Sequence, residues 1–198
     1  MILNRVEFAA MNNPLRSFIQ RRFEAQRLSK MASSRRAGHA LEIGCGRGVG
    51  VDIIFDVFSA ATVDAFDLDP KMIDLAGKRL EGRGDKVSLW VGDATRIQAP
   101  DSAYDAVFDF GIIHHVPKWR KAVAEVYRVL KPGGRFYAEE VLPAFIFHPV
   151  WQRLLNHPRE DRFEHEQFKS SLCEVGFDLL ADNKVWNWFG WYVADKKK

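Results

Sequence analysis

The sequence has few of the features of an exported, membrane-spanning or disulfide-stabilised protein. Only two cysteines, Cys45 and Cys173, occur among 198 residues, too far apart in too long a chain for a disulfide framework. No basic region followed by a long apolar stretch opens the chain, and no run of about 18 apolar residues occurs. We therefore expect free thiols in a reducing compartment, and a cytoplasmic location that includes the inner face of a membrane.

Internal repeats, low-complexity tracts and the cysteine spacing of a metal site are also missing, so we expect no metal cofactor. What is present is the composition of an ordinary globular domain. With 47% hydrophobic and 28% charged residues, a chain of this length can bury one core.

Basic residues are concentrated at the N-terminal end. Residues 1–38 carry a net charge of +6, whereas the remainder of the chain sums to −3. Within residues 14–30 the spacing predicts a basic amphipathic helix. Its predicted apolar face consists of Leu15, Phe18, Ile19 and Phe23. Two interpretations stay open: a lid that packs on the sheet, or a helix that contacts a membrane surface.

From residue 39 onward, short apolar or β-branched runs alternate with amphipathic stretches of helical length. This alternation predicts an α/β domain at 39–198, with helices on both faces of a doubly wound, mostly parallel, seven-stranded sheet. The predicted strands are 39–43, 62–67, 87–91, 104–109, 134–140, 177–182 and one within 188–196. The helix before the fifth strand is predicted to end at Pro132, Gly133 and Gly134, and a helix near 164–175 is predicted to end at Gly176. An aromatic, proline-punctuated segment at about 141–163 interrupts the pattern, and we interpret it as an apolar cap that lines a pocket or simply covers a core.

The first predicted strand runs into a loop with glycine at every second position, "EIGCGRGVG". Such a strand-to-helix loop lets a ligand approach the backbone closely. The dinucleotide pattern G-x-G-x-x-G fits poorly, because its third glycine would fall on Val49. Glu42 before the loop would also repel a pyrophosphate, whereas it would attract a cationic amino group.

Acidic residues follow the next two predicted strands as well. Asp67 lies 23 residues after Gly44, at the distance from which an acid accepts the hydroxyls of a ribose. Asp93 follows the third strand and could accept a hydrogen bond from an exocyclic amine or simply cap its loop. We interpret Asp69, before Pro70, as a helix N-cap.

Five segments, "LEIGCGRG", "AFDLDPKMI", "VGDATRI", "YDAVFDFGIIHHV" and "RVLKPGGRFYAEE", occur in the order found in one family. Over about residues 39–142 the chain resembles the class I S-adenosylmethionine-dependent methyltransferases, closest to the small-molecule branch of ubiquinone and menaquinone biosynthesis. The resemblance implies a Rossmann-like fold, the cofactor S-adenosyl-L-methionine and the product S-adenosyl-L-homocysteine.

The resemblance also implies the cofactor-binding residues. Those that would hold the methionine part are Glu42, Gly44, Cys45 and Gly46, joined at the end of the fourth strand by Asp109 and Phe110. Those that would hold the nucleoside are Asp67 and Leu68, at the ribose and adenine, and Asp93 and Ala94, at the adenine edge.

His114, His115 and Glu140 are candidates for a general base or for substrate positioning, since an oxygen or carbon acceptor must lose a proton. A histidine pair is common in this branch whatever the acceptor, so a structural role is the alternative. The Asn- or Asp-Pro-Pro-aromatic run of the nucleic-acid and glutamine branches is missing, and a nucleic-acid acceptor is not expected.

The leading hypothesis is methyl transfer to a small hydrophobic acceptor, such as a lipid or a quinone-like molecule. Three alternatives stay open: a methyltransferase acting on RNA or protein, a nicotinamide-dependent oxidoreductase, and a non-catalytic protein that binds a membrane or a partner.

Overall fold

A computed structural model describes residues 13–32, 36–146 and 162–198. Most of the predicted cap at 141–163 therefore lies outside the described residues. Within the described ranges, no helix combines the length and the apolar character needed to cross a membrane.

Seven strands form one sheet in the order β3-β2-β1-β4-β5-β7-β6. The strands are β1 Gly38–Ile43, β2 Ala60–Asp67, β3 Val87–Val91, β4 Tyr104–Phe110, β5 Leu130–Val141, β6 Phe177–Val185 and β7 Phe189–Lys196. The first five pair in parallel, while β7 pairs antiparallel with both β5 and β6. The predicted mostly parallel, doubly wound α/β fold is confirmed.

Helices cover both faces of the sheet and divide the core in two. The helices are α1 (Pro14–Ile19, a π-helical segment Gln20–Glu24, and Ala25–Met31), α2 Val49–Phe58, α3 Pro70–Leu80, α4 Trp119–Val129, α5 Pro143–Ile146 and α6 His165–Val175. Buried side chains of α1, α2 and α3 share one apolar cluster with the sheet, and those of α4 and α6 share the other. The buried side chains of each of these five helices thus pack against one face of the sheet.

Several predicted boundaries are confirmed by local chemistry. Asp69 caps α3 by accepting a hydrogen bond from the Lys71 amide, with Pro70 at the first helical position. Gly176 ends α6 with a φ of +114°. The start of β5 is a correction, because the strand begins at Leu130 and not at residue 134. The Pro132 and Gly133 pair that was expected to separate helix from strand lies inside β5.

The packed face of α1 differs from the predicted one. Phe18 and Phe23 are 58% and 61% exposed, and the helix instead buries Ala25 and Leu28 against the sheet. Phe18, Ile19 and Phe23 do lie together, since all three are exposed and the rings of Phe18 and Phe23 are 6.4 Å apart between centroids. The period of 3.6 residues therefore grouped these side chains correctly, but their face is turned to solvent and not to the sheet.

Candidate cofactor cavity and active site

A cavity of about 490 Å³ lies beyond the carboxyl ends of the parallel strands. It opens where the strand order reverses, between β1 and β4, which is where open α/β sheets bind ligands. Its volume is within the range of small-molecule sites. The loops that follow β1, β2, β3 and β4 form its walls.

Nine of the ten predicted cofactor residues line this cavity: Glu42, Gly44, Cys45, Gly46, Asp67, Leu68, Asp93, Ala94 and Phe110. The tenth, Asp109, is fully buried behind it and accepts a hydrogen bond of 2.8 Å from the Ile112 amide. The topology brings together residues from four separate strand ends, although their roles toward a ligand stay predictions.

The glycine loop forms the floor of the cavity. Gly44 and Gly46 have backbone φ values of +67° and +52°, which residues other than glycine rarely adopt. A Cβ on Gly44 would lie 2.6 Å from the Ile112 side chain, whereas a Cβ on Gly46 would meet nothing within 4 Å. The space in front of Gly46 is therefore open to a ligand that touches bare backbone.

Glu42 places a buried carboxyl group at the inner end of the cavity. Burial, with Asp67, Asp109 and Asp52 nearby, raises its pKa well above the ordinary value. Its Oε2 atom is buried without a hydrogen-bond partner among the described residues. A group with this environment is suited to an ammonium ligand, which would satisfy the orphaned oxygen and stabilise the charged form.

Asp67 joins the first two strand ends. One carboxylate oxygen accepts a hydrogen bond from the Gly46 amide and the other from the Asp69 amide, each at 2.9 Å. These bonds hold the glycine loop against the end of β2. Because a carboxylate oxygen can accept more than one hydrogen bond, both retain capacity for ligand hydroxyls.

Asp93 adopts the loop-capping arrangement that the sequence left as one alternative. Its Oδ1 atom accepts a hydrogen bond of 2.7 Å from the Thr95 amide. The residue is nevertheless exposed at the cavity, next to the buried Ala94. Leu68 lies on the same side, 48% exposed, and gives this end of the cavity an apolar edge.

Behind the cavity, Glu140 organises the turn that carries the two histidines. Its carboxylate accepts hydrogen bonds from the amides of Ile113 and His114, at 2.9 and 3.2 Å, and lies 2.5 Å from His114 Nδ1. Burial raises the pKa of Glu140 to about 7. Burial and the neighbouring Glu140 also raise the pKa of Asp109.

Only one of the three predicted catalytic side chains lines the cavity, namely His115. The His114 ring lies behind it, 4.1 Å away between ring centroids, and both His114 and Glu140 are buried. The structure thus places His115 on the cavity wall and His114 and Glu140 behind it, while their roles toward a substrate stay predictions.

Comparison with known proteins indicates the family of the chain. A family model described as a methyltransferase domain matches residues 41–138. The chain is 34% identical over 115 residues to a fatty-acid O-methyltransferase of Mycolicibacterium smegmatis, covering 58% of this chain and 41% of that protein. It is 34% identical over 143 residues to a ubiquinone/menaquinone biosynthesis C-methyltransferase of Methylobacterium nodulans, covering 67% and 54%.

The chain belongs to the class I S-adenosylmethionine-dependent methyltransferase family. It spans about half the length, or less, of these two curated relatives. A solved S-adenosylmethionine-dependent methyltransferase of Aquifex aeolicus has the same fold, with a TM-score of 0.75 at 16% identity over 97% of this chain and 98% of that one.

The cavity fits the cofactor of the methyltransferase family. Its open glycine floor suits an amino-acid tail, and the orphaned Glu42 oxygen suits the ammonium group of that tail. Asp67 has acceptor capacity for ribose hydroxyls at the adjacent strand end. No phosphate site is required, which agrees with the acidic lining.

Sequence reasoning missed part of the cavity wall. The additional lining residues include Gln20, Arg47, Met72, Thr95, Ile112, Val116, Pro117 and Lys118. Most of them flank the predicted motifs, so proximity to a strand end is the signal that could have identified them. Gln20 lies in α1, and only the packing of α1 across the sheet brings it to the cavity.

Proposed function

We propose that this methyltransferase-family protein transfers a methyl group from S-adenosylmethionine to a small hydrophobic acceptor, such as a lipid or a quinone-like molecule. The observation that carries the proposal is the conjunction of an open glycine floor, an orphaned buried Glu42 oxygen and Asp67 around one cavity. When bound, the cofactor supplies a methyl group on a positively charged sulfur.

The contribution of the protein is alignment and water exclusion, because an in-line displacement needs no covalent enzyme intermediate. In this proposal Glu42 pairs with the cofactor ammonium and Asp67 accepts from its ribose. Gly44 and Gly46 allow backbone contact, and the Leu68 and Asp93 regions enclose the base.

A hydrophobic acceptor is supported by the part of the cavity wall that follows β4. Phe110, Ile112, Val116 and Pro117 line that wall with apolar surface. The curated names of the two relatives refer to a fatty acid and to quinones. Both lines of support point to an acceptor that leaves water on binding.

We assign His115 as the side chain that faces the acceptor and can take up its proton. Glu140 and His114 are positioning residues in this proposal, since the three Glu140 contacts fix the turn. His115→Ala should lower kcat with little change in cofactor affinity. Glu140→Gln keeps a hydrogen-bonding side chain and should retain more activity than Glu140→Ala.

Calorimetric titration with S-adenosylhomocysteine tests the cofactor assignment directly. We expect micromolar binding that is lost in Asp67→Ala and retained in Asp64→Ala, an acid on the same strand outside the cavity. Saturable binding of NAD in its place, with no response to S-adenosylhomocysteine, would support the oxidoreductase alternative and refute this proposal.

The acceptor class is tested with methyl-labelled cofactor and a cell extract. Label recovered in the lipid fraction, dependent on His115, is the expected result. Label in RNA or protein would overturn the acceptor assignment while retaining the reaction, whereas no labelled product with intact cofactor binding would favour a non-catalytic role.

A further inference from the structure

A second apolar surface lies outside the cofactor cavity, where α1 approaches the hairpin of β6 and β7. We call it the aromatic rim; it consists of Phe18, Phe23, Phe189, Trp188 and Trp186. Trp186 is 80% exposed, and Phe18 and Phe23 are more than half exposed. Single exposed hydrophobic residues are common on protein surfaces, whereas a cluster of large exposed aromatic side chains indicates an interaction surface.

The aromatic rim is continuous across the two elements. A groove of about 670 Å³ between α1 and β7 is lined by Ile19, Phe23, Phe189 and Trp191. On the hairpin side of the groove, the Phe145 ring contacts both Phe189 and Trp188, at 5.1 and 5.6 Å between ring centroids. Trp188 in turn contacts Trp186 edge to face at 5.8 Å.

The hairpin holds Trp186 outward at a conformational cost. Trp186 and Asn187 are the first two residues of the three-residue hairpin loop and have φ values of +50° and +56°, the left-handed region that Asn and Gly tolerate best. A bulky residue rarely adopts such a φ. The exposed indole therefore occupies a turn position for which a small polar residue would be the lower-energy choice.

Basic side chains surround the aromatic rim. Arg22, Arg27 and Lys30 line the groove, and Lys184 is exposed on β6 two residues before the hairpin tip. The acid in the groove, Glu24, is paired with Arg16. Aromatic side chains flanked by exposed cations are complementary to a bilayer interface that carries anionic headgroups.

The aromatic rim also adjoins the active-site edge of the sheet. The Leu142 amide, directly after β5, donates a hydrogen bond of 2.8 Å to the Trp188 carbonyl. On the other side of the rim, Gln20 of α1 lines the cofactor cavity. The groove of the rim and the cofactor cavity thus have α1 as a common wall.

We propose that the aromatic rim docks on an anionic lipid bilayer, with Trp186 and Phe23 inserted at the headgroup level and Arg22, Lys30 and Lys184 facing the charged headgroups. Docking would bring a membrane-dissolved acceptor to the cavity; this last step rests on the proposed function, whereas docking itself does not.

Vesicle flotation of the full chain tests docking. We expect binding to phosphatidylglycerol-containing vesicles, weakened by salt and absent with phosphatidylcholine alone. Trp186→Asn suits the turn conformation and should weaken binding about tenfold, as should Phe23→Gln. The control is Leu180→Ser, which removes a half-exposed apolar side chain farther along β6 and should bind like the unaltered protein.

S-adenosylhomocysteine titration of the same variants separates docking from function. Unchanged cofactor affinity in Trp186→Asn together with weaker flotation supports the proposal. Flotation insensitive to Trp186 and Phe23 would overturn it. Sedimentation distinguishes the other occupants: a dimer that Trp186→Asn dissociates would assign the rim to a second copy, and absence of both dimer and vesicle binding would assign it to contacts within the chain.

Discussion

At the residue scale, Glu42 and Gly50 depend on each other. A Cβ on Gly50 would lie 1.9 Å from Glu42 Oε1 and 2.7 Å from the Phe110 ring. The buried carboxyl can therefore approach the first turn of α2 only because residue 50 has no side chain. The alternating glycines of the loop are thus needed for different physical reasons. Gly44 and Gly46 have positive φ values, whereas Gly50 leaves room for the Glu42 carboxyl and the Phe110 ring.

Gly50→Ala should destabilise the fold by about 1–3 kcal/mol, because the new methyl group overpacks a fixed carboxyl and ring. The measurement is urea unfolding followed by circular dichroism. Gly77→Ala is the control: it lies in α3 with nothing within 4 Å of its Cβ position, so alanine should stabilise the protein by up to about 1 kcal/mol. Equal effects of the two substitutions would contradict this account.

The Glu42 carboxyl should make cofactor affinity depend on pH. Its pKa is raised in the free protein, and an ammonium ligand favours the charged form, so binding requires loss of the proton at lower pH. Below the raised pKa the affinity for S-adenosylhomocysteine should fall about tenfold per pH unit. Glu42→Gln should bind more weakly and lose this dependence, whereas Glu81→Gln, an exposed control, should keep it.

At the element scale, α1 contributes to the cavity wall and is tied to the sheet by a partly buried ion-pair network. Arg16 contacts Glu24 within the helix and lies 3.4 Å from Glu139 at the end of β5. Burial raises the pKa of Glu139, and Arg16 opposes that effect. The network ties α1 to the sheet with Gln20 at the cavity wall, while the exposed phenylalanines of α1 belong to the aromatic rim.

Arg16→Ala should release α1 from the sheet. Amide hydrogen exchange within residues 13–32 should become at least about tenfold faster, which corresponds to about 1.4 kcal/mol of local stability. The affinity for S-adenosylhomocysteine should fall severalfold, because Gln20 is then no longer held at the cavity wall. Arg21→Ala, in the same helix as Arg16, breaks an exposed pair with Asp56 of α2 and should change neither quantity measurably. Exchange that rises equally in both variants would refute the assignment.

At the scale of the whole molecule, the site concentrates carboxyl groups whose pKa values are raised. Glu42, Asp109 and Glu139 all have pKa values well above the ordinary range because they are buried, and Glu140 has one of about 7. Above the ordinary carboxyl pKa of about 4, the folded protein therefore holds more protons than the unfolded chain. These groups stabilise the ligand-free fold at acidic pH and lose that contribution as pH rises.

The free energy of unfolding of the ligand-free protein should accordingly decrease between about pH 5 and pH 8, by at most about 1.4 kcal/mol per pH unit for each group. Asp109→Asn keeps the acceptor for the Ile112 amide and should flatten this decrease. Asp105→Asn is the control, because Lys131 lowers the pKa of Asp105 and its contribution changes only below about pH 4. A slope unaffected by Asp109→Asn would exclude the buried cluster as its source.

Much of the fold could be predicted because the periodicities that define it are local. The apolar runs, the Asp69 and Pro70 helix start and the Gly176 stop each depend on chemistry within a few residues. The cavity residues after the strands were predictable for a related reason: parallel strands bring their carboxyl ends to one edge, so Glu42, Asp67 and Asp93 had to converge.

The sequence by itself thus determined the element order, the family and the residues at the strand ends. Only the tertiary structure decided which histidine reaches the cavity, how Gln20 joins it, and which face of α1 is buried. His114 and His115 are the same type of residue and have nearly the same sequence context. Their positions differ because the sheet brings Glu140, 26 residues from His114 along the chain, into hydrogen-bonding contact with His114 alone of the two. That long-range contact leaves no local pattern in the sequence.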